Sequence, residues 1–145
     1  MQSLKDAIYL RNAMIESLEE AEFDAYTGSQ QPLLTYVVAG GGFAGVETVA
    51  AMNDFLRESV VFYPHLKVDI IRVVLIHHLA EILPELGEEL GNYARRKLAE
   101  RKVEIILNTK VVGYSGPRCR TSRRFSNQAG DFCLDGWRYC KQAGA

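Results

Sequence analysis

The residues whose types and spacing could do chemistry are three glycines and a carboxylate. Gly40, Gly42 and Gly45 have the G-x-G-x-x-G spacing, and Glu47 follows two residues later. They lie in Ala39-Gly40-Gly41-Gly42-Phe43-Ala44-Gly45-Val46-Glu47, after the apolar run Leu33-Leu34-Thr35-Tyr36-Val37-Val38 and before a stretch with helical spacing. Strand, glycine turn and helix form the context in which this spacing points to a dinucleotide site. Gly40 permits a tight turn, Gly42 lets the backbone approach a pyrophosphate, and Gly45 lets the helix pack closely on the strand. Free amides at the helix start then face the phosphates, with the positive end of the helix dipole behind them. Gly41, Phe43 and Ala44 complete the expected cofactor-binding turn. A structural glycine turn without a ligand is the competing reading.

Glu47 is expected on the first turn of that helix. It is either an acid favoured by the dipole or a carboxylate facing the nicotinamide ribose or ring at the lip of the crevice. The second apolar run, Arg72-Val73-Val74-Leu75-Ile76, ends at His77 and His78, with Glu81 beyond. An acid normally stands at that point to hold the adenosine ribose and select the unphosphorylated dinucleotide. A neutral histidine can hydrogen-bond a ribose hydroxyl and a charged one tolerates a phosphate; alternatively both histidines simply cap a strand end. Three histidines and three cysteines (Cys119, Cys133, Cys140) form no nucleophile-base set, and their spacings match no metal pattern.

These residues need elements to position them. Residues 3–23 read as one amphipathic helix with Ser3 and Asp6 at capping-box spacing. Its expected stripe is Leu4, Ile8, Ile15 and Leu18, flanked by Ala7, Met14 and Ala21. Arg11 sits within that stripe, as a snorkelling edge residue or an anion contact. Gly28-Ser29-Gln30-Gln31-Pro32 breaks it from the first strand. After the glycines, Val46, Val49, Ala50 and Phe55 mark a helix ending by Pro64. A third helix is expected to begin near Pro84, with Leu86, Leu90, Tyr93 and Leu98 as its buried face, and with acids early and bases late to suit its dipole. Val103 to Leu107 is a third strand, and Lys110 to Tyr114 a short antiparallel one. The order β-α-β-α-β predicts an α/β fold, a Rossmann-like parallel sheet with flanking helices and incomplete at its end.

The 145 residues are 48% hydrophobic and 24% charged, with net charge −1. That composition fits a globular chain and gives no argument for a nucleic-acid surface. No apolar run reaches the length of a membrane span, and no signal peptide is evident. A cytoplasmic location is the expectation.

The glycine turn, Glu47, the Arg72–Ile76 strand and Ile82-Leu83-Pro84-Glu85-Leu86 together resemble the NADH-binding domain of type II NADH:quinone oxidoreductases. These belong to the pyridine nucleotide-disulfide oxidoreductase superfamily of flavoproteins. The resemblance runs from about Leu4 to Gly116, including Leu10-Arg11-Asn12 and Leu86-Gly87-Glu88-Glu89-Leu90. It implies a connector helix over 1–27 and an NAD(H)-binding domain over 33–116. It also implies that Gly40, Gly42 and Gly45 bind the NADH pyrophosphate and that Glu47 lies near the nicotinamide. In such enzymes hydride passes from NADH to FAD and electrons pass on to quinone, with the enzyme peripheral on the cytoplasmic face of the membrane. His77 departs from the usual acid. The FAD-binding unit of the family has no counterpart here, so the chain is expected to be an internal, inactive fragment.

From Pro117 to Ala145 no apolar period is sustained, and Arg118, Arg120, Arg123 and Arg124 cluster. The basic cluster is readable as an arm for an anionic partner. Read one nucleotide later, plausible codons for Asp131 to Cys140 permit Thr-Phe-Val-Trp-Thr-Ala-Gly-Gly-Thr, like the strand and turn that close the NADH domain in this family. The expectation is a reading-frame slip near Gly116 or Pro117, a tail without selected structure, and a sheet lacking its last strands. Alternatives are a stand-alone NAD(H)-binding or sensor module and a non-functional remnant.

Overall fold

The computed structural model describes residues 4–28, 34–115, 118–121, 132–135 and 138–140. In chain order the elements are α1 (Leu4–Tyr26), β1 (Leu34–Ala39), α2 (Phe43–Ser59), β2 (Ile71–Ile76), α3 (Glu88–Glu100), β3 (Val103–Ile106), β4 (Val111–Ser115), β5 (Arg118–Thr121), β6 (Phe132–Asp135) and β7 (Arg138–Cys140). Short 3-10 turns span Val60–Phe62, Val68–Ile70 and Pro84–Leu86. The main sheet has the order β3-β2-β1-β6-β7, and β4 pairs with β5 in a separate hairpin. Within the main sheet β1, β2, β3 and β6 run parallel and β7 is antiparallel to β6; β4 and β5 are antiparallel to each other.

Register fixes where a ligand could sit. Ala39 lies opposite Ile76, and Ile76 opposite Ile106. The carboxyl ends of β1, β2 and β3 therefore finish level, and the crevice beyond such an edge is where open α/β sheets bind ligands.

Strand alternation divides the core into two faces. Tyr36, Val38, Val73 and Leu75 join Leu10, Met14 and Leu18 of α1, Val49, Met52 and Leu56 of α2, and Leu98 of α3 in one cluster. Val37, Val74 and Ile76 form the other face, with Ile106 and Val111 against them. Continuous apolar strands are the expected pattern for a sheet covered on both sides.

Helix α1 belongs to the first cluster, but its buried stripe differs from the expected one. Leu10, Ala13, Met14, Ser17, Leu18 and Ala21 are buried, whereas Ile8 is exposed. Ser17 turns inward because its hydroxyl donates to the Met14 carbonyl (2.7 Å) and meets the buried Tyr36 hydroxyl (2.6 Å). Burial pushes the Tyr36 phenol far above its ordinary pKa, so it stays protonated and can donate to Ser17. Arg11 is exposed, its guanidinium 3.4 Å from the Asn12 side-chain oxygen.

Helix α3 also corrects its expectation. Pro84 opens a separate 3-10 turn, and the helix proper begins at Glu88 after Gly87, whose φ of 81° ends the turn. Leu98 and Gly91 are buried, but Leu86, Leu90 and Tyr93 are exposed. The glycine explains the rotation: a Cβ at Gly91 would lie 2.6 Å from the Ile82 carbonyl oxygen. That close approach turns Gly91, Ala94 and Leu98 toward the protein and the larger side chains away.

In the tail, β6 pairs parallel with β1, Tyr36 opposite Phe132 and Ala39 opposite Asp135. Strands thus occur within the stretch expected to carry no selected structure. On the side of β1 away from β2, this four-residue segment takes the backbone amides and carbonyls that a strand edge would otherwise present. β3 lies at the sheet edge.

Candidate dinucleotide-binding elbow

The turn from β1 to α2 uses each glycine differently. Gly40 has φ +109°, a conformation L side chains rarely adopt, and its amide donates to the Ile76 carbonyl at 2.8 Å. A Cβ on Gly45 would overlap the Gly40 carbonyl oxygen, so only glycine lets the first turn of α2 rest on the loop. Gly42 is the N-cap of α2 in ordinary extended geometry (φ −78°, ψ −176°), without a side-chain cap. Among the described residues away from its own chain neighbours, a Cβ there would meet the Glu85 carboxylate oxygen, at 3.7 Å.

A helix leaves its first four amides without intrahelical acceptors. Here these belong to Gly42, Phe43, Ala44 and Gly45, and the regular ladder starts at Val46, whose amide donates to Gly42 at 3.0 Å. Phe43 and Ala44 are exposed at the mouth of the elbow. With the dipole behind them, these amides form an anion-binding corner at the carboxyl edge of a parallel sheet.

Gly41 plays another part than the one expected. Its amide donates to Nδ1 of His77 at 2.9 Å, so that donor is already engaged. A Cβ on Gly41 would meet the His77 ring at 2.7 and 2.8 Å and Ile82 at 3.0 Å. The ring therefore lies directly beneath the turn.

His77 itself is 5% exposed rather than open to the crevice. Its backbone is pinned to the neighbouring strand and turn: its amide donates to Ile106 (2.8 Å), and its carbonyl accepts from Thr109 (2.9 Å). Burial, reinforced by His78, lowers its pKa below the ordinary histidine value, while Glu85 pulls weakly the other way. The ring is neutral at pH 7. Since Nδ1 accepts, the proton sits on Nε2, which is buried and has no hydrogen-bond partner among the described residues. The simple reading of His77 as an open ribose contact does not match this burial. His78, exposed, stands edge-on to it with ring centroids 4.7 Å apart.

Glu47 is exposed and is the fifth residue of α2, so it lies in the second turn rather than the first. Its side chain is therefore beyond the amides that a dipole-stabilised acid would cap.

Sequence reasoning missed the brace on the far side of the elbow. The Leu83 amide donates to the Gly41 carbonyl at 2.7 Å, and Leu83 adopts a left-handed backbone (φ 52°, ψ 49°). A branched aliphatic residue in that region is strained and persists only where its surroundings impose it. Ile82 and Leu83 are both buried. The clue was the Ile82-to-Leu86 segment, whose proline was read as a helix start. Asn53 was also missed: buried in α2, it donates to the Arg101 carbonyl (3.1 Å) and accepts from Arg57 (3.0 Å), tying α2 to the end of α3.

Among the described residues no cluster of His, Cys, Asp or Glu could hold a metal ion, and no helix is long and apolar enough to cross a membrane. The parallel sheet with a glycine elbow at its carboxyl edge defines an α/β nucleotide-binding fold of the Rossmann type. The model of the pyridine nucleotide-disulphide oxidoreductase family matches residues 10–131, and the chain belongs to that family. It is 29% identical over 112 residues to the external alternative NADH-ubiquinone oxidoreductase of Yarrowia lipolytica mitochondria, covering 77% of this chain and 19% of that protein. It is 30% identical over 119 residues to the type II NADH:quinone oxidoreductase NdhA of Mycobacterium tuberculosis, covering 80% of this chain and 25% of that protein. The structure of NDH2 from Plasmodium falciparum in complex with NADH superimposes with a TM-score of 0.66 at 20% identity, over 79% of this chain and 23% of that one, a likeness of fold. The chain thus spans about a fifth to a quarter of the length of these relatives.

Proposed function

We propose that this chain is the NADH-binding portion of an FAD-dependent NADH dehydrogenase that delivers electrons to a quinone. The observation that carries the reading is the elbow. Gly45 is held against the Gly40 carbonyl, and the amides that follow Gly41 open onto the sheet's carboxyl edge. The residues present suit a dinucleotide. Four amides at the start of α2 offer donors to a diphosphate, Gly42 leaves room for its approach, and Phe43 and Ala44 border it.

In this reading the amides of Gly42, Phe43, Ala44 and Gly45 hold the diphosphate. Gly40 and Gly41 shape the turn, with His77 beneath it at the adenosine side. Glu47, on the exposed face of α2 one turn further on, borders the nicotinamide end and orients it. When bound, the nicotinamide supplies the hydride, and the cofactor pair carries the redox chemistry. The glycine elbow is one site, and it suits one dinucleotide. The FAD partner and the quinone belong to the whole enzyme, which we place peripherally on the cytoplasmic face of a membrane.

Calorimetric titration with NADH, paired with a quinone-reductase assay, tests this. The expected result is saturable NADH binding by a colourless protein with no turnover. Absence of binding would refute the elbow's role; a flavin-loaded preparation that oxidises NADH would refute the portion's dependence on the rest of the enzyme.

A further inference from the structure

The geometry around Gly41 raises a question that dinucleotide binding alone leaves open, namely why a buried histidine stands under the turn. The orientation of the Gly42 amide depends on the two peptides that flank Gly41, and both are held: the Gly40–Gly41 peptide through the Gly41 amide and the Gly41–Gly42 peptide through the Gly41 carbonyl. The Gly41 amide goes to His77 Nδ1 at 2.9 Å, and the Gly41 carbonyl accepts from Leu83 at 2.7 Å. The ring has little freedom. Gly41 and Ile82 pack over it, and its own amide and carbonyl are bonded to Ile106 and Thr109.

We propose that His77 is the positioning residue of the elbow: its unprotonated Nδ1 holds the Gly41 amide, and dinucleotide binding at Gly42–Gly45 requires that nitrogen to be free of a proton. A protonated imidazole is a donor at both nitrogens. Its Nδ1–H would then face the Gly41 N–H across the same 2.9 Å, donor against donor. Because the ring is wedged, the Gly40–Gly41 peptide turns away; its carbonyl packs against Gly45 in the first turn of α2, so the amides of the anion corner are displaced with it. A carboxylate at this place would keep accepting from Gly41 down to much lower pH, so the histidine introduces a proton dependence on the acid side of the ordinary histidine value.

The groups that act on the ring are His78 beside it and Glu85 on the Pro84–Leu86 turn, whose carboxylate also lies over Gly42. From the turn after β1 the ring meets the Gly41 amide, while the His77 backbone bonds the Ile106 carbonyl of β3 and the Thr109 amide of the turn after it. Burial outweighs Glu85 and disfavours the protonated ring, consistent with a neutral brace. A charged ring would also attract a diphosphate. It lies beneath Gly41 rather than in front of the amides, so the loss of alignment decides the outcome.

The inference rests on the elbow binding a dinucleotide, and its test separates the two. The probe is ADP-ribose, titrated into the full chain from pH 8 to 5.5, with the circular dichroism melt followed at each pH. Binding by the parent protein is expected to weaken about tenfold over that range, the worth of one charge-assisted hydrogen bond. His77→Asn, whose amide oxygen accepts without titrating, should bind with a flat pH profile and near-parent affinity at pH 7.5. His77→Leu should bind about tenfold more weakly throughout, having no acceptor. A flat parent profile, or parent-like binding by His77→Leu, overturns the inference while leaving the elbow's role intact. The Gly41 amide resonance provides a second readout that needs no ligand. It should titrate with pH in the parent and not in His77→Asn; a resonance that does not titrate overturns the inference. Should ADP-ribose bind at no pH, the dinucleotide reading falls, and with it the coupling.

Discussion

Gly42→Ala separates a ligand-binding glycine from a structural one. The backbone at Gly42 (φ −78°, ψ −176°) suits alanine, and the added methyl would touch Glu85 Oε1 at an ordinary contact distance of 3.7 Å, with no closer clash among the described residues. Replacing glycine removes unfolded-state freedom, worth about 0.4–1 kcal/mol of stability. Against this, alanine is a poorer N-cap than glycine by up to about 1 kcal/mol. The two nearly cancel, so the melting temperature should move by less than about 4 °C. Binding should respond otherwise. The methyl stands before the first amides of α2, where a phosphate oxygen must approach. Losing one hydrogen bond to a charged acceptor costs about 1.5–3 kcal/mol, or roughly 10- to 150-fold in affinity. Gly45→Ala is the converse control. Its methyl overlaps the Gly40 carbonyl, with backbone on both sides, so the fold must yield at or beyond the ~3 kcal/mol top of the usual overpacking range. NADH fluorescence titration and thermal melts of both variants are the assay. If Gly42→Ala bound NADH within twofold of the parent, the amides at the start of α2 would not be what holds the cofactor.

Two further outcomes follow from His77. Its folded-state pKa lies below the unfolded value near 6.5, so the unfolded chain gains a proton that the folded chain resists. Its contribution to stability is therefore complete above that pH and is lost as pH falls below it toward the folded value. Urea unfolding at pH 8 and 5.5 should show a larger loss in the parent than in His77→Asn; equal losses would contradict the buried neutral ring. Separately, β2 runs directly into His77 and His78 where an acid would repel a 2′-phosphate, so NADPH should bind within about tenfold of NADH, a difference of at most about 1.4 kcal/mol. Discrimination beyond a hundredfold would place a negative charge at the ribose that His77 does not supply.

The sheet and its elbow were readable because local patterns and fold agree there. The apolar runs from Leu33 to Val38 and from Arg72 to Ile76 correspond to the parallel strands Leu34–Ala39 and Ile71–Ile76, and the glycine spacing became the turn. Helix faces were less readable. In α1 the polar Ser17 points inward to satisfy Tyr36, while the apolar Ile8 points out. In α3 a glycine, not a leucine, decides which side meets the protein. Hydrophobic period alone carries neither fact, since both depend on a partner distant in sequence. The same holds at the site. The G-x-G-x-x-G spacing located the elbow, but Gly41's engagement with His77 and the Leu83 brace arise from residues more than thirty-five positions away. The tail was the least legible part, because its short strands carry no apolar period of their own; β6 pairs along β1.

Amide resonances followed during titration with NADH test the central claim most directly. Binding at the elbow predicts that the earliest and largest shifts belong to Gly42, Phe43, Ala44 and Gly45, with smaller ones at Gly41 and His77. Saturable NADH binding that left those four amides unmoved, with shifts gathered elsewhere on the chain, would contradict it.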